Sequence, residues 1–320
     1  MDGKLILNGP ESPITREYRP RPDLFRAACW VASVFTVALL VFILGEIFCK
    51  AWPAIQKFGF GFITNVQWSP NREIFGVLPV IIGTAASSLL ALLFALPLGL
   101  SIAIFLSEDF LPAPIRQLIR FVVELLAAIP SVVYGLWGIF VVVPLVQQYG
   151  AIIADKLGFI PLFTGPAYGN SLLTASLVLA LMVLPTITAI SRSALVAVPP
   201  TLREASYALG STRWETILGV ILPTAAPGIV ASTILGFGRA MGETMAVAML
   251  IGNSQRLSCS LLAPSNTLSA LLANQFAEAD GIQVNALMYA AVLLVLLTLG
   301  VNMAGEAVLR RTQRSVMGLK

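Results

Sequence analysis

Arg239 and Glu243 lie within residues 220–251, a run otherwise free of Asp, Glu, Lys and Arg. A charged side chain at bilayer depth costs roughly 2.5–3.5 kcal/mol or more, so such residues mark either a functional site or a neutralised pair. The spacing i, i+4 puts both on one face of a helix, where they can pair with each other; arginine before glutamate is the weaker order. Gly238 and Gly242 make a GxxxG face that lets a second helix approach closely. Two readings follow. The pair neutralises itself at a helix interface, or Arg239 offers its guanidinium fork to an oxyanion in transit while Glu243 holds or releases it. A neutral or cationic cargo would gain nothing from an arginine there.

A second constellation occupies residues 199–215. Pro199 and Pro200 stop one helix and position the next. Thr201 with Glu204 has the spacing of a capping box. Residues 202–209 then make about two turns, and Gly210 suits the left-handed residue that ends them. Thr212 with Glu215 repeats the capping spacing and starts a further helix. The spacing predicts a short, sharply terminated helix between two apolar runs. It is either an interfacial helix with solvated charges or a rigid knob that fits a groove on another protein.

The elements that carry these residues follow from composition. Charged residues make up 11% of the chain and mean hydropathy is +0.87, against about 25% charge in soluble domains. Lipid is therefore part of the solvent. Six uncharged or nearly uncharged runs, at 27–45, 77–106, 124–146, 171–190, 220–251 and 285–304, are expected to be membrane helices, since only closed hydrogen bonding crosses hydrocarbon cheaply. Glu124 then falls at the inner end of the third span, as a snorkelling carboxylate or as a gate element. Pro130 and Gly135 are expected to let that helix bend, and Tyr134 to serve packing.

Basic residues set the orientation. With the amino terminus inside, fourteen lie on the cytoplasmic side (Lys4, Arg16, Arg19, Arg21, Arg26, Arg116, Arg120, Arg192, Arg203, Arg213, Arg310, Arg311, Arg314 and Lys320). Five lie outside (Lys50, Lys57, Arg72, Lys156 and Arg256). This split places both termini in the cytoplasm and accounts for the net charge of +4 without nucleic acid. Residues 1–26 read as a polar cytoplasmic tail without a cleavable leader, 27–76 as the first span and an outer loop, 77–309 as a core of five further spans, and 310–320 as a basic tail.

Histidine is absent, which removes imidazole metal sites, Ser-His-Asp catalysis and histidine proton relays. Cys29, Cys49 and Cys259 make no CxxC pair, so neither a disulfide framework nor a zinc site is expected, and Cys29 reads as a small buried hydrophobe. No GxxxxGK[ST] loop occurs, so the chain is expected to bind no nucleotide cofactor of its own.

The run Glu204-Ala205-Ser206, then Gly210, then Val220-Ile221-Leu222-Pro223 resembles the EAA signature of ABC importer permeases, with Ser206 in place of the second alanine and Val220 in place of isoleucine. The resemblance implies an all-α, type I permease-like fold. It also implies that residues 202–209 form a coupling helix seated on a nucleotide-binding ATPase subunit, with ATP and magnesium on that partner. Residues 238–245, 124–135 and 75–84 with the Trp68 loop are similar to the phosphate-specific transport permeases, on the PstC rather than the PstA branch. That resemblance implies inorganic phosphate as cargo, a second homologous permease subunit, an ATPase dimer and an extracytoplasmic phosphate-binding protein.

Other readings stay open from the residues alone. Sulfate, molybdate or tungstate would suit Arg239 as well as phosphate. A secondary transporter would ignore changes at Gly210. An intramembrane enzyme would need a catalytic cluster that the missing histidines make hard to assemble.

Overall fold

The computed structural model describes residues 24–108 and 110–316, and these are mostly helical. Residues 1–46 and 47–320 form separate units. The described part of the first belongs to α1 (Leu24–Phe58). There follow α2 (Gly61–Thr64), α3 (Leu78–Ser107), α4 (Ala113–Ala128), α5 (Ser131–Trp137), α6 (Val143–Leu157), α7 (Leu172–Val196), α8 (Pro200–Ala208) and α9 (Arg213–Thr216). The chain ends in α10 (Leu222–Gly242), α11 (Met245–Leu250), α12 (Leu268–Gln275) and α13 (Ile282–Val316). Single π-helical segments join α5 to α6 and α9 to α10.

Among the described residues six segments are long and apolar enough to span a membrane: Leu24–Phe58, Leu78–Ser107, Ser131–Lys156, Leu172–Val196, Arg213–Gly242 and Ile282–Arg314. The chain is a multi-pass membrane protein. In the second unit α7 is the centre: 67% of its apolar window is buried, against 22–28% for the four other spans. It packs against α3 and α10, and α10 in turn against α13. Gly236 permits the α7–α10 approach, because a Cβ there would lie within 3.1 Å of Ile187 and Val183 side-chain atoms. The remaining faces of the spans carry exposed Leu, Val, Ile and Phe, as expected where hydrocarbon replaces water.

Four expectations need correction. The third span does not begin at Glu124. Ile129 and Pro130 are extended and separate α4 from α5, because proline disfavours helix at the residue before it. Glu124 therefore lies on α4, a separate helix with an exposed apolar stripe at Leu118, Phe121 and Leu125. The fifth span is not one helix: α10 stops at Gly242, and Glu243 is extended (ψ 130°) before α11 resumes. Thr201 does not cap α8. The cap is Pro199, whose side chain makes no capping bond, and Thr201 lies inside the helix. Cys29 is exposed on α1, as are Cys49 on the same helix and Cys259 in the loop before α12.

Candidate functional site

α10 delivers Arg239 three residues before the helix stops. Its Nη1 donates to Thr186 Oγ1 at 3.2 Å. Thr186 follows Pro185 on α7 and sits fourteen residues from the start of that helix, which is about 21 Å along its axis at 1.5 Å per residue. Arg239 is thereby held beside the middle of the most buried span. Its side chain is exposed in the single chain while Ala240 and Met241 beside it are buried, so the guanidinium lies on an open face of the subunit.

Arg239 and Glu243 do not neutralise each other. No ion pair joins them among the described residues, because the break after Gly242 removes the helical turn that would have brought them together. Glu243 is half-buried at that break. The broken backbone is satisfied from elsewhere: Ser269 Oγ, buried at the start of α12, donates to the Met241 carbonyl at 3.3 Å, and Thr244 Oγ1 donates to the Gly242 carbonyl at 3.1 Å. Non-helical backbone at membrane depth is tolerated where it is buried in protein or lines a polar path, and this one adjoins the arginine.

The two glycines divide. Gly238 is a contact point with α13, where a Cβ would lie 3.1 Å from Asn302 Oδ1, whereas Gly242 has open space around it. Glu124 stands apart, paired on the surface of α4 with Arg120 at 2.7 Å. Tyr134 packs, with its hydroxyl donating to the Leu126 carbonyl at 2.8 Å. Thr186 and Ser269 were not singled out by sequence reasoning. A polar residue directly after a mid-span proline was the available signal for Thr186.

The second constellation forms a compact element. α8 stops at Ala208 and Leu209 caps it. Gly210 follows with a φ of +86°, the left-handed conformation expected of it, and Ser211 N–H closes the turn onto the Ser206 carbonyl at 3.2 Å. Thr212 and Glu215 make the reciprocal capping box. Ser206 is 7% exposed, with its hydroxyl 2.9 Å from Thr216 Oγ1. That bond ties α8 to α9 and gives a reason for serine where the EAA pattern has alanine. Trp214 stacks on Phe110, ring centroids 5.3 Å apart. Glu204 and Ala205 face solvent, and Leu209 at the tip is 88% exposed.

Residues 95–316 match the family described as binding-protein-dependent transport system inner membrane component. The phosphate transport system permease protein PstC of Mesorhizobium japonicum is 43% identical over 271 residues, 83% of each chain. The PstC protein of Pasteurella multocida is 39% identical over 296 residues, 91% of this chain and 92% of that one. Among solved structures, a chain of a bacterial alginate ABC transporter in complex with its pentasaccharide-bound periplasmic protein superimposes with a TM-score of 0.63 at 16% identity, over 90% of this chain and 96% of that chain. A chain of the MetNI methionine ABC transporter in an inward-facing conformation gives 0.58 at 20% identity, over 77% and 99%. These two share the fold alone. The chain belongs to the binding-protein-dependent transport system inner membrane component family and, within it, to the PstC group of permease proteins.

Proposed function

We propose that the chain is the permease subunit of an ATP-driven importer of inorganic phosphate, with both termini in the cytoplasm. That the relatives are phosphate transport system permease proteins supports the cargo, and the fourteen-to-five division of basic residues supports the orientation. The observation that carries the reading is Arg239: an intramembrane guanidinium on an open face, steered by Thr186 and released from Glu243.

A guanidinium presents five N–H donors in a planar fork. One is engaged by Thr186, and the fork that remains matches the edge of a tetrahedral oxyanion. The Thr186 hydroxyl accepts from Arg239, so its own proton is available to the same oxyanion. The open face is covered in the working importer by a second, homologous permease subunit, and the pathway runs between the two. An extracytoplasmic binding protein delivers phosphate to the outer loops. An ATPase dimer carries ATP and magnesium and receives α8 with Leu209 in its cleft. ATP-driven closure of that dimer moves α8 and opens the pathway outward. Moving an anion inward against an inside-negative potential costs about 2.3 kcal/mol per charge per 100 mV, which is why an anion importer needs the motor.

The test is uptake of radiolabelled phosphate into proteoliposomes that hold the whole importer and its binding protein. ATP-dependent uptake that excess sulfate and molybdate leave unchanged is the expected result. Preferential uptake of another oxyanion, or uptake without the ATPase, overturns the reading.

A further inference from the structure

Glu108 is the residue that ends α3, and a carboxylate at a helix carboxyl terminus faces the negative end of the macrodipole. Its position costs stability unless something offsets it. That partner is Arg203 on α8, with Nη2 at 3.2 Å from Glu108 Oε1 and side-chain exposures of 22% for the arginine and 12% for the glutamate. The same Nη2 donates to the Leu195 carbonyl at 2.8 Å, in the last turn of α7. One guanidinium on the short helix therefore grips the ends of two membrane spans, α3 and α7, which pack on each other along the core.

An apolar seat lies beneath it, with Ala103 of α3, Leu195 of α7 and Ile217 after α9 in one buried cluster. Apolar contact is non-directional and lets surfaces slide. The Arg203–Glu108 contact is a close ion pair without hydrogen-bond geometry, since Glu108 Oε1 accepts no hydrogen bond among the described residues. Direction comes from the bond that the same Nη2 makes to the Leu195 carbonyl, and the partly buried charge pair adds a fixed attachment to the end of α3. We propose that the Arg203–Glu108 pair is the strut through which motion of α8 reaches the membrane spans, making both positioning residues for energy coupling. It rests on the importer reading above and adds to it a load path that the EAA signature does not contain, since Glu108 lies outside that signature.

Two measurements test the strut in the assembled importer. In proteoliposomes, Arg203→Gln and Glu108→Gln are each expected to hydrolyse ATP within about twofold of the unmodified complex, while phosphate imported per ATP falls about tenfold. Arg203→Lys, which keeps the charge, retains most of the ratio, and the double variant is no worse than either single, as for two groups acting as one unit. Matching melting temperatures of the variant complexes separate coupling from folding. A double variant whose loss is the product of the singles, or singles with the unmodified ratio, overturns the strut. Independently of cargo, spin labels at Phe105→Cys and Thr201→Cys, after replacement of the exposed native cysteines, report whether α3 and α8 move together. Their separation is expected to hold within about 2 Å between nucleotide-free and ATP-bound states, and to change by more in Arg203→Gln, on the scale of helix shifts in switching proteins. Equal behaviour of the two complexes overturns the strut even where phosphate uptake is intact. A complex that moves no phosphate sinks the importer reading, and the label distances still decide the strut.

Discussion

The α8–α9 knob and the Arg239 site solve opposite problems with the same kinds of side chain. At the knob three polar contacts reach a partner a few residues away or at a neighbouring helix end: the Thr212–Glu215 box, the Ser206–Thr216 bond and the Arg203 grip. The result is a rigid body with one apolar tip. At the Arg239 site the near neighbour in sequence, Glu243, is not a partner, and a distant threonine is. On the proposed reading, local pairing builds a part that transmits force, and withheld local pairing leaves a charge available to the anion.

The sharpest way to break this contrast is to remove the withheld charge. Arg239→Gln is expected to lower phosphate uptake about 100-fold, roughly 3 kcal/mol of charge-assisted hydrogen bonding, while the complex assembles and hydrolyses ATP. Failure of assembly instead would make Arg239 a structural member. Next in size is the end of the knob. Gly210→Val places a β-branched residue at positive φ, where only the backbone objects because no atom lies within 4 Å of a Cβ there. Strain of about 1–3 kcal/mol should tilt Leu209 and cut coupled uptake about tenfold, whereas Gly210→Asn, which tolerates that conformation, should transport nearly normally. Equal transport by both would remove the knob from the mechanism.

Smaller effects sharpen the comparison. Thr186→Val keeps the shape but loses the acceptor for Arg239, and is expected to raise the apparent KM for phosphate about fivefold, with Thr186→Ser restoring it, in line with the loss of one hydrogen bond to a charged group. A change confined to Vmax would argue for packing. Ser206→Ala, which recreates the common EAA residue, should lower the melting temperature of the complex by a few degrees, about 1 kcal/mol for a buried hydroxyl pair, with the ratio of phosphate to ATP unchanged. A fall in that ratio would give the knob's internal bond a role in coupling.

What could be read from the chain tracks how local each determinant is. The six spans were legible because hydrocarbon demands long uncharged runs, and the turn at Gly210 and the Thr212–Glu215 cap because both are set within four residues. Local patterning also misled. The Thr201–Glu204 spacing met a proline that took the capping position. The apolar run from 124 to 146, uncharged after Glu124, hid the break at Pro130, and the run from 220 to 251 hid the break after Gly242. Hydropathy registers the solvent around a segment and is blind to a change of direction inside it.

The sequence by itself determined that this is a multi-span membrane protein with an ionisable pair in one apolar run and a terminated helix between two spans. Hydrophobic run length and capping chemistry act over a few residues and do not wait for the rest of the fold. Only the tertiary structure decided that Arg239 answers to Thr186 rather than Glu243, that Ser269 repairs the break beside it, and that Arg203 reaches Glu108. Each of these joins residues from different helices, and which faces of two helices meet is fixed by packing over the whole bundle.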